Sequence, residues 1–304
     1  MELREFTYVK MVADCGSFTK AAAKLFITQP ALSNYINKVE EELGVKLFDR
    51  SASPLVLTYA GEQYLKRSKV ILNQLDDMNR EMRDITHHMA GRLRLGFPGE
   101  RIIYMLPLIL TPFKEKYPGI DVEVVTGPGN RLLESLRAGE VDFVFLPDWH
   151  EYKDITRVKV SEEELLLVAA RGYLKEKHFL DREKKIINWR EIARLPLITL
   201  KKGHALRSSV EVLYKNSGIK PQIAFESHSN MLSYRLAAQG LGFAVIPEIT
   251  LKLMEGSMDA EVFHLAEAPL TWDVYALYRE GCYIGQVEQT FLDIVREALD
   301  TQKS

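Results

Sequence analysis

Gln29, Ser33, Asn34, Asn37 and Lys38 fall along one side of a stretch, Ser17 to Glu42, that reads as two short helices joined by a tight break. Amide, hydroxyl and ammonium groups are the ones that hydrogen-bond base edges and phosphates, so this face has the chemistry of a helix laid in a DNA groove. The opposite side is apolar. Phe18, Ala21, Ala22 and Leu25 recur at helical spacing before the break, and Leu32, Ile36, Val39 and Leu43 after it, giving each helix one stripe to bury. Thr28 is a good N-cap for the second helix. Pro30 is tolerated in its first turn, where the missing N–H has no intrahelical partner.

The surrounding elements are those such a helix needs. Phe6, Val9, Met11, Val12 and Ala13 predict a preceding helix that stops near Gly16, with Ser17 capping the next. After Gly44, Val45, Leu47 and Phe48 read as core, Ser51 to Pro54 as a turn and Leu55 to Leu57 as a strand, which together make a wing. From Thr58 to Ala90 there is no proline and Gly61 is the lone glycine, so a long helix is expected. Tyr64, Ser68, Ile71, Leu75, Met78, Met82, Ile85 and Met89 are spaced alternately four and three residues apart, the seam of a coiled coil, with Asp77, Arg80, Glu81 and Arg83 outside it. Dimerisation through that seam is the expectation; the alternative is a stripe packed on its own domain.

The runs SFTKAAAKL, TQPALSNYINKVEEELGVKLFDR and LTYAGEQYL closely resemble the DNA-binding domain of LysR-type transcriptional regulators over residues 1 to 66. The resemblance implies an N-terminal all-α winged helix-turn-helix at 1–60, a linker and dimerisation helix at 61–90, and a C-terminal α/β two-lobed, periplasmic-binding-protein-like (type 2) effector domain at 91–304. It assigns base or phosphate contacts to Gln29, Pro30, Ser33 and Asn34, with Thr28 as cap and Arg50 near the wing. Asn34 and Asn37 stand where relatives often carry cations, and Ser51, Ala52, Ser53 and Pro54 where they often carry a basic wing. Each missing phosphate contact lowers the salt slope of binding by roughly one unit, so a shallow slope is expected.

Beyond Arg92 short apolar runs alternate with helical segments, the pattern of an α/β domain with mostly parallel sheets. Strands are expected at Leu93–Phe97, Ile120–Thr126, Val141–Leu146, Leu165–Ala169, Leu197–Leu200, Gln222–Phe225 and Phe243–Ile246. Helices are expected at Tyr104–Tyr117, Leu132–Ala138, Leu206–Asn216, Met231–Gln239 and Gln286–Leu299. Following the resemblance, the chain crosses from a first lobe (91–161 and 268–304) to a second (162–267) near Ser161 and returns near Ala266 to Leu270.

Open α/β sheets bind ligands beyond the carboxyl ends of their strands, where helix N-termini offer free N–H groups. By the resemblance, Gly99, Glu100, Arg101, Gly127, Pro128, Lys201, Gly203, His204, Ser229 and Asn230 form the rim of such a cleft. Arg101, Lys201, Lys202 and His204 favour an anionic effector such as a small carboxylate. Glu100 would suit an amine, and glycine, serine and asparagine at helix starts are also ordinary caps.

Composition narrows the classes further. The 304 residues suffice for roughly two domains, and 46% apolar with 27% charged residues is the composition of a soluble globular chain. A net charge of −2 decides nothing about a single DNA-reading domain. The charged N-terminus lacks a signal peptide's apolar core, and Ile102 to Phe113 is too short to span a bilayer, so a cytoplasmic location off the membrane is expected. Cys15 and Cys282 form no metal or redox spacing, and the adjacent His87 and His88 point to different sides of a helix, so neither a metal nor a cofactor is expected. No phosphate loop, dinucleotide fingerprint or nucleophile elbow occurs, which argues against an enzyme; a solute-binding protein would not carry the first ninety residues. The expected partners are double-stranded promoter DNA, a small-molecule effector, a second copy in a dimer or tetramer, and RNA polymerase. A regulator without an effector is the rival reading.

Overall fold

The computed structural model describes residues 2–52, 54–86, 90–147, 150–254, 260–265 and 270–300. The chain divides into two units, Met1–His88 and Met89–Ser304. In the first, helices α1 (Leu3–Cys15), α2 (Phe18–Lys24) and α3 (Gln29–Leu43) precede the antiparallel strands β1 (Phe48–Asp49) and β2 (Val56–Leu57), and helix α4 (Tyr59–Ile85) follows. Local chemistry sets these limits. Ser17 and Thr28 accept hydrogen bonds from the Lys20 and Ala31 amides, while Gly16 and Gly44 end their helices in the left-handed conformation. Val9, Val12, Ala21, Leu32, Ile36, Leu47 and Phe48 close one small core.

One expectation for this unit needs correction. Val45 is 45% exposed rather than core, because the Val45 N–H turns back to the Glu40 carbonyl at 3.2 Å and the Gly44 N–H to Glu41 at 3.2 Å, a helix-ending pair that throws the side chain outward. The long helix expected from Thr58 begins at Tyr59, with Thr58 capping it by accepting from the Gly61 N–H at 3.0 Å. Asp77 and Arg80, outside the seam, are also buried. The far end of the seam, with His87, His88 and Met89, lies outside the described residues.

The second unit runs β3 (Gly91–Phe97), α5 (Arg101–Lys116), β4 (Ile120–Thr126), α6 (Gly129–Arg137), β5 (Phe143–Pro147) and the long strand β6 (Ile155–Ala170). Then come β7 (Phe179–Asp181), β8 (Ile186–Ile187), α7 (Trp189–Ile192), β9 (Pro196–Leu200), α8 (Ala205–Ser217), β10 (Gln222–Ser227), α9 (Asn230–Ala238), β11 (Phe243–Pro247), α10 (Glu248–Met254), β12 (Ala260–His264), β13 (Thr271–Arg279) and α11 (Gln286–Asp300). Strands β4, β3 and β5 are parallel, as are β10, β9 and β11. These are the two lobes.

Strand β6 belongs to both. Its residues 155–164 pair antiparallel with β13, and from Leu165 onward its partners are β11 and β12. The change of partner comes close to the crossing expected near Ser161, but the sheets are mixed rather than mostly parallel, because the two strands that pass between lobes run against their neighbours. Each lobe has its own core. Phe97, Met105, Phe113, Phe143, Phe145 and Phe291 fill the first, and Leu167, Ile187, Leu197, Val210 and Phe243 the second.

Candidate DNA-reading helix and interlobe cleft

On α3, Gln29, Pro30, Asn34 and Lys38 are exposed, whereas Ser33 and Asn37 are half-buried. The cover over the latter two is Arg50. Its Nη2 donates to Asn37 Oδ1 at 2.5 Å and its Nη1 to Ser33 Oγ at 3.4 Å, while the guanidinium lies 5.0 Å from the centre of the Phe18 ring. Behind it the buried Glu40 carboxylate accepts from Leu47 N–H (2.8 Å), Phe48 N–H (3.2 Å) and Lys46 Nζ (2.9 Å), and stands 3.6 Å from Arg50. Burial pushes the Glu40 carboxyl up, and the Lys46 ammonium with the two amides more than offsets this, so its pKa falls below the ordinary value. An ionised Glu40 therefore ties the entry of the wing to α3. Arg50 then lies on the polar face of the helix itself. Nothing in the spacing of the run singled out Glu40 among its acidic neighbours.

The seam of α4 separates into two parts. Tyr64, expected at a dimer interface, is instead half-buried in the first unit's own core, its ring 5.9 Å from that of Phe6. Burial raises its phenol pKa to about 12. Ser68 is also buried and donates to the Tyr64 carbonyl at 2.8 Å. Further along, Ile71, Met78, Met82 and Ile85 are exposed and Leu75 is half-buried.

In the second unit, turns from the two lobes meet. Glu100, between β3 and α5, accepts from the Ser229 hydroxyl and from Met231 N–H, whose nitrogen is 3.3 and 3.2 Å from its two oxygens. Ser229 Oγ in turn caps α9 by accepting from Leu232 N–H at 3.0 Å. The rings of His204 and His228 lie 5.8 Å apart. Burial, then the neighbouring His228, lowers the pKa of His204, with Glu100 pulling the other way. Lys201, Lys202 and Gly203 are exposed, and His204 is the N-cap residue of α8, with no side-chain cap. Gly127 and Pro128 lead into α6, where Pro128 is the N-cap residue.

Arg101 is not a free cation on this rim. It is buried, with Nη1 2.5 Å from Glu163 Oε1 and Nη2 2.9 Å from Oε2. Trp272 Nε1 donates to the same carboxylate at 2.9 Å. Burial alone would raise the Glu163 pKa, but the guanidinium and these hydrogen bonds lower it. The guanidinium is thus committed to β6, a partner 62 positions away in sequence and so hidden from local reading. A surface cavity of about 310 Å³ lies elsewhere on the second lobe, lined by Trp189, Arg190, Leu213, Asn216, Ser217 and Leu265.

This architecture, a winged three-helix unit followed by a two-lobed α/β unit, has close counterparts. A family described as "Bacterial regulatory helix-turn-helix protein, lysR family" matches residues 3–62, and one described as "LysR substrate binding domain" matches residues 86–300. The chain belongs to the LysR family. Among LysR-type relatives, the HTH-type transcriptional activator CmpR of Synechocystis sp. is 30% identical over 293 residues, covering 96% of this chain and 93% of that one. Full-length CbnR complexed with its target DNA is similar in fold, with a TM-score of 0.66, 22% identity and coverage of 98% and 100% of the two chains. A full-length OxyR variant from Pseudomonas aeruginosa reaches a TM-score of 0.76 at 20% identity, covering 98% and 94%. The protein is thus a DNA-binding transcriptional regulator with an effector-binding domain, from a family of regulators rather than enzymes.

Proposed function

We propose that this LysR-type regulator acts in the cytoplasm as a dimer, or a dimer of dimers, that reads promoter DNA with α3 and answers to a small anionic metabolite held between its lobes. The observation that carries the DNA half is the exposed edge formed by Gln29, Asn34 and Lys38 together with Arg50, which Ser33 and Asn37 hold on the same face. Two such helices about one helical turn apart suit a pseudo-palindromic site. The exposed Ile71, Met78, Met82 and Ile85 supply the surface for a second copy. CmpR is named an activator, and contact with RNA polymerase is proposed on that ground.

For the effector, support comes from α8. Its first amides lack a side-chain cap and stand beside the exposed Lys201 and Lys202, a setting that favours a carboxylate. Arg101 no longer contributes to this reading, because Glu163 neutralises it. Footprinting on operator DNA with and without a panel of carboxylates is expected to show a shifted protected region for the effective ligand. Thermal stabilisation by amines alone would overturn the anionic assignment.

A further inference from the structure

Glu100 belongs to the lobe built on β3 and α5, and Ser229 and Met231 to the lobe built on β10 and α9, so their hydrogen bonds span the cleft. The carboxylate satisfies the Met231 amide while Ser229 Oγ satisfies that of Leu232, filling the first turn of α9 with an internal anion and a hydroxyl. The base of this arm is fixed. The next residue, Arg101, is paired through both nitrogens to Glu163 on β6, and Trp272 on β13 holds the same carboxylate. Strands β6 and β13 are paired along the segment where the chain passes between lobes. Glu100 is therefore anchored at the crossing, and only its side chain reaches the opposite lobe.

We propose that Glu100 is a tethered anion that latches the cleft shut, and that an anionic effector entering at α9 must displace it. This rests on the reading of the cleft as the effector site, but the latch can be tested without an effector or an operator. A tethered carboxylate acts at a high effective concentration, so a free anion competes poorly with it. An effector wins only through additional contacts, such as those at the start of α8, that favour the displaced arrangement. The consequence is a resting state set by the chain's own side chain.

The test is amide hydrogen exchange on the full-length protein, following Met231 in the wild type, Glu100→Ala and the isosteric Glu100→Gln. Sodium acetate, which replaces the deleted atoms of Glu100→Ala, is compared with sodium chloride at equal ionic strength. Thermal melts confirm that each variant is folded. Exchange at Met231 is expected to rise roughly tenfold or more in Glu100→Ala and less in Glu100→Gln, as befits loss of a charge-assisted hydrogen bond. Acetate should restore protection in Glu100→Ala and leave the wild type unchanged. Wild-type exchange rates in Glu100→Ala, equal acetate effects on both proteins, or faster exchange that acetate does not touch would each overturn the latch. Failure of the carboxylate footprints with a positive exchange result would instead remove the effector assignment and leave the latch standing.

Discussion

Arg50 changes what Ser33 and Asn37 do. Both are polar residues on the face that the sequence marks for base edges, yet each accepts a hydrogen bond from a guanidinium 17 and 13 residues downstream. Helical spacing reveals which side of α3 is polar, but not which of its groups are already occupied, since that depends on where the wing folds back. Arg50 also supplies a cation to a helix whose Asn34 and Asn37 carry no charge. Arg50→Ala is expected to lower the slope of log affinity against log salt by about one unit, as for one lost phosphate contact. Fluorescence anisotropy at a series of salt concentrations measures this, and an unchanged slope would confine Arg50 to holding the wing. Gln29→Ala should behave differently, costing about 1–3 kcal/mol on the specific site and little on random DNA.

A second residue-scale prediction concerns pH. His178 is buried and its Nδ1 accepts from Lys175 N–H at 2.8 Å, so the folded state needs the neutral ring. Burial, followed by the charge of Lys177, lowers its pKa below the ordinary value. With the folded pKa below the unfolded one, the unfolded chain binds the proton more readily between the two. Stability from this ring is then present above about pH 6.5 and is lost as pH falls from there through the folded value. The drop in melting temperature of the effector domain between about pH 7 and pH 5 should be smaller in His178→Gln. An identical drop would place the acid sensitivity elsewhere.

At the scale of elements, Gly61 shows why a helix begins where it does. A Cβ at this position would lie 2.0 Å from the Leu47 carbonyl oxygen, so α4 can start against the wing only with glycine there. Gly61→Ala is expected to destabilise the DNA-binding unit by about 1–3 kcal/mol, the usual cost of forcing extra volume into a packed site. Calorimetry should show the transition of the first unit moving down while that of the effector domain stays in place. Other elements differed in how well they could be read. The helices α8, α9 and α11 were legible because each has a cap or a clean apolar stripe. The first half of β6, ITRVKVSEEE, and β13, TWDVYALYR, were not, because charged residues interrupt their apolar pattern. They pair with each other more than a hundred positions apart, and β13 also with β5, so they are defined by pairing rather than by local hydrophobicity. The cleft turns were legible as places in the fold. Their internal pairing of Arg101 with Glu163 and of Glu100 with Ser229 was not, since it depends on contacts across the cleft and to the crossing strand.

At the scale of the molecule, everything turns on whether the seam of α4 is covered by a second copy or by the chain itself. Tyr64 packs in its own unit's core, which answers that question for the start of the seam. Met78 and Ile85 remain 50% and 65% exposed, so a substitution there touches little within one chain. A carboxylate placed in a coiled-coil seam would instead be buried without a partner, at a cost of several kcal/mol per ion. Met78→Glu combined with Ile85→Glu is therefore expected to shift sedimentation to that of a monomer, with both units still melting cooperatively and the melting temperature lowered no further than loss of the partner's mass-action contribution. Operator affinity should fall with it, because a monomer engages one half-site and forfeits the second helix's contribution. A lowered melting temperature with the dimer intact would reverse the assignment, showing that the stripe packs on its own chain and that the two DNA-reading helices are joined by some other surface.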